Sequence, residues 1–132
     1  MPITTLYAAL LAPLLVLLAV RVIRQRRTAR VGIGHGDDAE LLRRMRVHAN
    51  FTEYVPLALI LIGLAESLKT TPLLLHALGL ALLAGRLVHA FGVSQTKENL
   101  SLRVTGMSLT FAVLIVGSVA CLAAALGYPI RL

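Results

Sequence analysis

Tryptophan is absent from this chain, and aromatic residues of any kind make up only 5% of it. With so few rings to stack on bases and no nucleic-acid motif, a net charge of +7 does not point to DNA or RNA. The single cysteine, Cys121, excludes an internal disulfide and, lying in an apolar run, says nothing about redox compartment. Charged residues are also scarce, at 14%, well below the share of a soluble domain. No Ser-His-Asp order, cysteine nucleophile or metal-ligand spacing is present, and no soluble repeat or second domain is visible.

What remains is apolar: 58% of the 132 residues are hydrophobic and the mean hydropathy is +0.83. That is the composition of a membrane protein. The pattern predicts an all-α bundle of four transmembrane helices in a single domain, 1–132, with helices at about 4–23, 38–67, 72–91 and 100–126. The start, Met-Pro-Ile-Thr-Thr, lacks the basic residues of a signal peptide, so helix 1 is expected to stay as an anchor, kinked at Pro13. Arg21, Arg24, Arg26, Arg27 and Arg30 follow it, then a glycine-rich connection in which Asp37 or Asp38 reads as the cap of helix 2. Positive charge favours the cytoplasm, which puts this connection inside and both termini outside. The short turn Lys69-Thr-Thr-Pro72 makes helices 2 and 3 antiparallel neighbours. Small residues on helix 4, among them Gly106 and Gly117, predict packing against protein rather than lipid.

The stretch Arg46-Val-His-Ala-Asn-Phe-Thr-Glu-Tyr-Val-Pro56 interrupts this scheme. The apolar run after it, Val55 to Ala65, rises only about 17 Å as a helix, against a hydrocarbon core of about 30 Å. A spanning helix must therefore include Glu53, Asn50 and Arg46, which at i, i+4, i+7 share one face. Charges at such depth usually face a bundle interior and mark a site. Arg46 and Glu53 lie about 10 Å apart along the axis, too far for direct contact, and a polar ligand would fit between them.

The ionisable and polar residues not explained by packing gather at the same end: Arg26, Arg27, Arg30, Arg46, His48, Asn50, Glu53, Tyr54, Arg86, His89 and Arg103. A lone His76 at the other end reads as a packed or interfacial residue. Guanidinium forks bind carboxylates bidentately and a carboxylate holds an ammonium, so the matching ligand is a small zwitterion with excess negative charge. Glutathione, with two carboxylates, one ammonium and one thiol, has that pattern.

The strings Val22-Ile-Arg-Gln-Arg-Arg-Thr-Ala-Arg-Val31 and Arg46-Val-His-Ala-Asn-Phe-Thr-Glu-Tyr-Val-Pro-Leu57 resemble the MAPEG family, the membrane-associated proteins in eicosanoid and glutathione metabolism. Arg, then Asn, then Glu-Tyr-x-Pro is the carrying motif, and the similarity in helix layout runs over the whole chain. The resemblance implies a homotrimer with glutathione, as cosubstrate, at the cytoplasmic end of each subunit interface. It implies glutathione contacts from Arg46, Asn50, Glu53 and Tyr54 on helix 2 and Arg26 on helix 1, with His48 in the place of a glutamine. Arg103 matches an arginine that stabilises the glutathione thiolate, which would attack a hydrophobic or lipid electrophile entering from the membrane. Two departures stand out: His89 and Val93 occupy the places of two tyrosines, and the loop before Arg103 is longer. The expected function is a glutathione transferase or peroxidase. The alternatives are a non-catalytic lipid-binding or scaffold protein of the same fold and, further off, a small drug exporter built on Glu53. Neighbouring arginines would repel that exporter's cationic substrates and depress the carboxylate pKa that proton coupling needs raised.

Overall fold

A computed structural model describes residues 1–97, 99–128 and 130. It contains four α-helices, α1 (Pro2–Ala29), α2 (Ala39–Ser67), α3 (Pro72–Ser94) and α4 (Leu100–Ala125). Each is long and apolar enough to cross a membrane. α2 and α3 sit between α1 and α4, and the closest pair is α3 with α4.

The helix ends differ from the hydropathy reading in an instructive way. α1 continues through Arg24, Gln25, Arg26 and Arg27, because arginine and glutamine are good helix formers even where the apolar run has stopped. It ends at Arg30, which adopts the left-handed conformation with φ 55° and donates its backbone N–H to the Arg27 carbonyl. α3 likewise runs to Ser94, since Gly92 and Val93 are buried and stay helical, and the polar loop begins only at Gln95. Asp38 caps α2, its carboxylate accepting the Leu41 N–H at 2.8 Å. That bond, with a second from Gln25, holds the Asp38 carboxyl below the usual carboxylate range. The capping contribution is therefore fully present above the ordinary aspartate pKa and is lost as pH falls through the depressed value.

The core lies along one stripe of α2, with Val47, Phe51, Val55, Ala58, Ile62 and Ala65 buried against Leu11 and Leu18 of α1, Leu75, Leu78 and Leu82 of α3 and Val113 and Ala120 of α4. Close approach is greatest between α3 and α4. A Cβ at Gly106 would lie 2.6 Å from the Gly85 carbonyl oxygen and 2.7 Å from the His89 backbone nitrogen, so only glycine allows these two backbones to touch. Gly117 and Ala120 continue the buried small-residue face, while Ser108 and Ser118 turn outward.

The two ends of the bundle are unlike. One carries the arginines at the end of α1, the start of α2, the end of α3 and the start of α4, and is called the basic end below. At the other, Glu66 at the end of α2 reaches the first turn of α1. Its carboxylate accepts the N–H groups of Ile3 at 3.0 Å and Thr4 at 2.8 Å and the Thr4 hydroxyl at 2.6 Å. Nearby, the buried Tyr7 hydroxyl lies 3.1 Å from His76 Nδ1, which gives His76 a packing role.

Candidate functional site

The site is built on the crossing of α2, α3 and α4 at the basic end. Its floor is Arg86, only 2% exposed although charged. Arg86 Nη1 donates to Asn50 Oδ1 at 2.6 Å, and Nη2 donates to Thr110 Oγ1 at 2.5 Å and to the Gly106 carbonyl at 3.2 Å. One guanidinium thus joins three helices. Arg86 has no carboxylate partner among the described residues; its charge is held by an amide, a hydroxyl and a carbonyl, the kind of hydrogen-bonded compensation a buried cation needs.

This arrangement fixes the chemistry of Asn50. A guanidinium has only donors, so the atom of Asn50 facing it must be the carbonyl oxygen. The amide NH2 is then left for the other side, where Asn50 lines a cleft of about 180 Å³ together with Leu42, Arg43, Arg46, His89, Val93 and Arg103. The polar wall of that cleft is three guanidinium groups, one oriented amide and His89, with no carboxylate among its lining residues. Arg43 is steadied by Glu40 at 3.0 Å, and the same carboxylate takes Arg44 at 2.8 Å. Arg46 is exposed at the mouth, while His89 and Val93 are buried in the wall. Such a surface is chemically complementary to an anion bearing acceptors.

Not every residue expected at the site lies here. Arg46, Asn50, His89 and Arg103 are brought together, and Arg86 supports them from beneath. Arg26, Arg27 and Arg30 line a different cleft, with Ile23, Val31 and Gly32. Arg26 is turned back on its own connection, donating to the Gly34 carbonyl at 2.8 Å and the Gly32 carbonyl at 3.3 Å. His48 and Tyr54 line neither cleft; Tyr54 packs edge-on against Phe111, ring centres 5.6 Å apart. Glu53 continues the Arg46–Asn50 stripe but is exposed on the outer face of α2, with no hydrogen-bond partner among the described residues. Two contributors are not singled out by the sequence. Arg43 reads from sequence as a topology charge, and Thr110 offers no signal beyond lying one helical turn after Gly106.

A model of the MAPEG family matches residues 4–123, which include every residue lining either cleft. Inner membrane protein YecN of Escherichia coli strain K12 is 36% identical over 113 residues, covering 86% of this chain and 85% of the relative. YecN of an Escherichia coli O6:H1 strain matches to the same extent. The chain belongs to the MAPEG family. Its four helices accord with MAPEG membership, and the relative's name gives an inner membrane as its location. In this MAPEG chain the Arg46, Asn50 and Glu53 spacing runs along one face of α2 as one continuous helix.

Proposed function

We propose that this MAPEG protein binds glutathione at the basic end and uses it as a transferase or peroxidase on hydrophobic electrophiles. The observation that carries the reading is the wall of three guanidinium groups around Asn50, whose amide is committed by Arg86 to present N–H groups to the cleft. Arg43, Arg46 and Asn50 would take the carboxylates of glutathione. Arg103, arriving from α4 on another side, would sit by the sulfur. A thiol of pKa about 8.5 is mostly protonated at neutral pH, and a fixed cation beside it favours the anion. The proton leaves to solvent; the thiolate donates an electron pair to an electrophilic carbon, forming the S–C bond as the leaving group departs with its own pair.

Glu53 supports a shared site. A carboxylate at membrane depth is costly against lipid, yet Glu53 lies on the outward face of α2 beside exposed Leu57, Ile60 and Leu64. A neighbouring protomer covering this face would remove it from lipid and place it toward the glutathione ammonium, as a homotrimer does. Native mass spectrometry in mild detergent is expected to give three copies; a fully active monomer would contradict the shared site. The arginine bias of the basic end supports a topology with that end in the cytoplasm and both termini on the opposite side. Reporter fusions after Gly36 and at Leu132 are expected to report opposite compartments, and the same compartment for both would reject this topology.

Titration calorimetry with glutathione tests the binding reading. Arg46→Ala and Glu53→Ala are each expected to weaken binding by at least about tenfold, the loss of one charge-assisted hydrogen bond. Arg24→Ala, outside both clefts, is expected to leave affinity unchanged. Arg103→Ala is expected to keep affinity within a few fold and to suppress the thiolate absorbance near the ultraviolet edge of the peptide band. Conjugation should slow by about tenfold for each pKa unit lost. Equal behaviour of all these variants would remove the glutathione assignment. Binding without any thiolate in the unsubstituted protein would favour a non-catalytic role.

A further inference from the structure

The second cleft calls for a ligand of its own. It has a volume of about 330 Å³ and an almost wholly apolar lining, made by Ile23, Val31 and Gly32 with the aliphatic stems of Arg26, Arg27 and Arg30, whose charged ends stand outside that lining. No carboxylate is among the lining residues. Arg27 and Arg30 are exposed, whereas Arg26 is spent on bracing the connection through the Gly32 and Gly34 carbonyls and the Met45 sulfur at 3.4 Å. That brace holds a shape: the connection between Arg30 and Asp38 turns through positive φ at Arg30, Gly34, Gly36 and Asp37. At its crest Ile33 is 96% exposed, flanked by Gly32 and Gly34.

An isoleucine held out between glycines is poorly matched to water and well matched to the boundary between headgroups and acyl chains. Two free guanidiniums beside an apolar floor are matched to a phosphate carried on an alkyl chain. Asp37 and Asp38 are the nearest acids in sequence. Asp38 is occupied by the Leu41 N–H and the Gln25 amide at 2.9 Å and lines no part of the cleft. We infer that the cleft formed by the end of α1 and the glycine-rich connection is a binding site for the headgroup of an anionic phospholipid. Arg27 and Arg30 clamp the phosphate, Ile23 and Val31 meet the upper acyl chain, and Ile33 dips into the interface beside them. The inference is independent of the glutathione reading, since no residue of this cleft lines the other.

The test is native mass spectrometry of the full chain released from nanodiscs of phosphatidylglycerol and phosphatidylcholine in equal amounts. The expected result is preferential retention of one phosphatidylglycerol per chain. Arg27→Gln and Arg30→Gln should each reduce retention by about fivefold, as for one arginine near an anionic surface, whereas Arg24→Gln, which removes the same charge from outside the cleft, should leave it unchanged. Ile33→Ser should lower retention of both lipids without altering the preference. Equal loss in the Arg24 variant would mean diffuse attraction and would overturn the site, as would equal retention of the two lipids. Displacement by inorganic phosphate at equal concentration would show a free-phosphate site instead, and displacement by glutathione would join the cleft to the other site; either outcome also overturns the lipid assignment. Unchanged glutathione affinity in the Arg27 and Arg30 variants is expected throughout, so loss of either reading leaves the other testable.

Discussion

Asn50→Leu is expected to lower the thermal stability of the detergent-solubilised protein by about 3 kcal/mol, and a second change, Arg86→Met, to restore most of it. Leucine nearly matches asparagine in size but cannot accept the Arg86 proton, which the wild type satisfies at 2.6 Å. The guanidinium, already without a partner at Nε among the described residues, would then keep only its Nη2 contacts, to Thr110, the Gly106 carbonyl and the Met107 sulfur, in a nearly dry interior. Removing a partner from a buried charge costs more than removing the charge as well. Methionine at position 86 fills much of the arginine volume and asks for no hydrogen bonds, and Thr110 keeps its bond to the Gly106 carbonyl at 2.9 Å. A thermal-unfolding cycle of the two single variants and the double variant measures the coupling. If the double variant is no more stable than Asn50→Leu alone, Arg86 is not the seat of the penalty.

A comparable loss is expected from Gly106→Val. Its Cβ would meet the Gly85 carbonyl oxygen and the His89 backbone, each within 2.7 Å. Neither neighbour is the flexible end of a side chain, so α3 and α4 must separate. Overpacking of this kind costs about 1 to 3 kcal/mol, and with backbone on both sides the upper figure applies. Gly117→Ala is the comparison, because its Cβ would meet only the Leu61 side chain, Cβ at 3.3 Å and Cδ1 at 3.8 Å, and is expected to cost under about 1 kcal/mol. The cleft reports the same event: His89 stands on α3 and Arg103 on α4, so separating the helices would move these two lining residues apart. Glutathione affinity should fall in the valine variant by more than destabilisation alone explains, measured below the unfolding temperature. Equal stability of the Gly106 and Gly117 variants would show that the α3–α4 contact is more compliant than its geometry states.

The four membrane-length helices were legible because each apolar run needs only length and composition to declare itself. Their ends were less so: hydropathy stops at Ile23, but the backbone of Arg24 to Arg27 has no reason to leave the helix. The Arg46, Asn50 and Glu53 stripe was visible in the spacing, since residues on one helix share a face whatever surrounds them. Arg86 could be suspected as a charge in an apolar helix, whereas its partners Asn50 and Thr110, 36 and 24 residues away, depend on how α2, α3 and α4 cross. Within one chain the α1 arginines and the α2 stripe line different clefts, for a related reason. Proximity to the same end of a bundle does not decide which groove a side chain enters, and Arg26 is taken up by carbonyls of a connection that has no periodicity to read.

The carboxylate of Glu66 has a bearing on the order in which the protein is made. The opening amides of α1 are synthesised first and, like those of any helix start, lack acceptors within their own helix. Their partner lies 62 and 63 residues downstream, at the far end of the second crossing. Until α2 has traversed the bilayer, the beginning of α1 can be satisfied only by water or headgroups; afterwards it is fastened across the hairpin. The contacts that close the first two helices on each other at this end need nothing from the third and fourth, whereas the cleft at the basic end needs α2, α3 and α4 together.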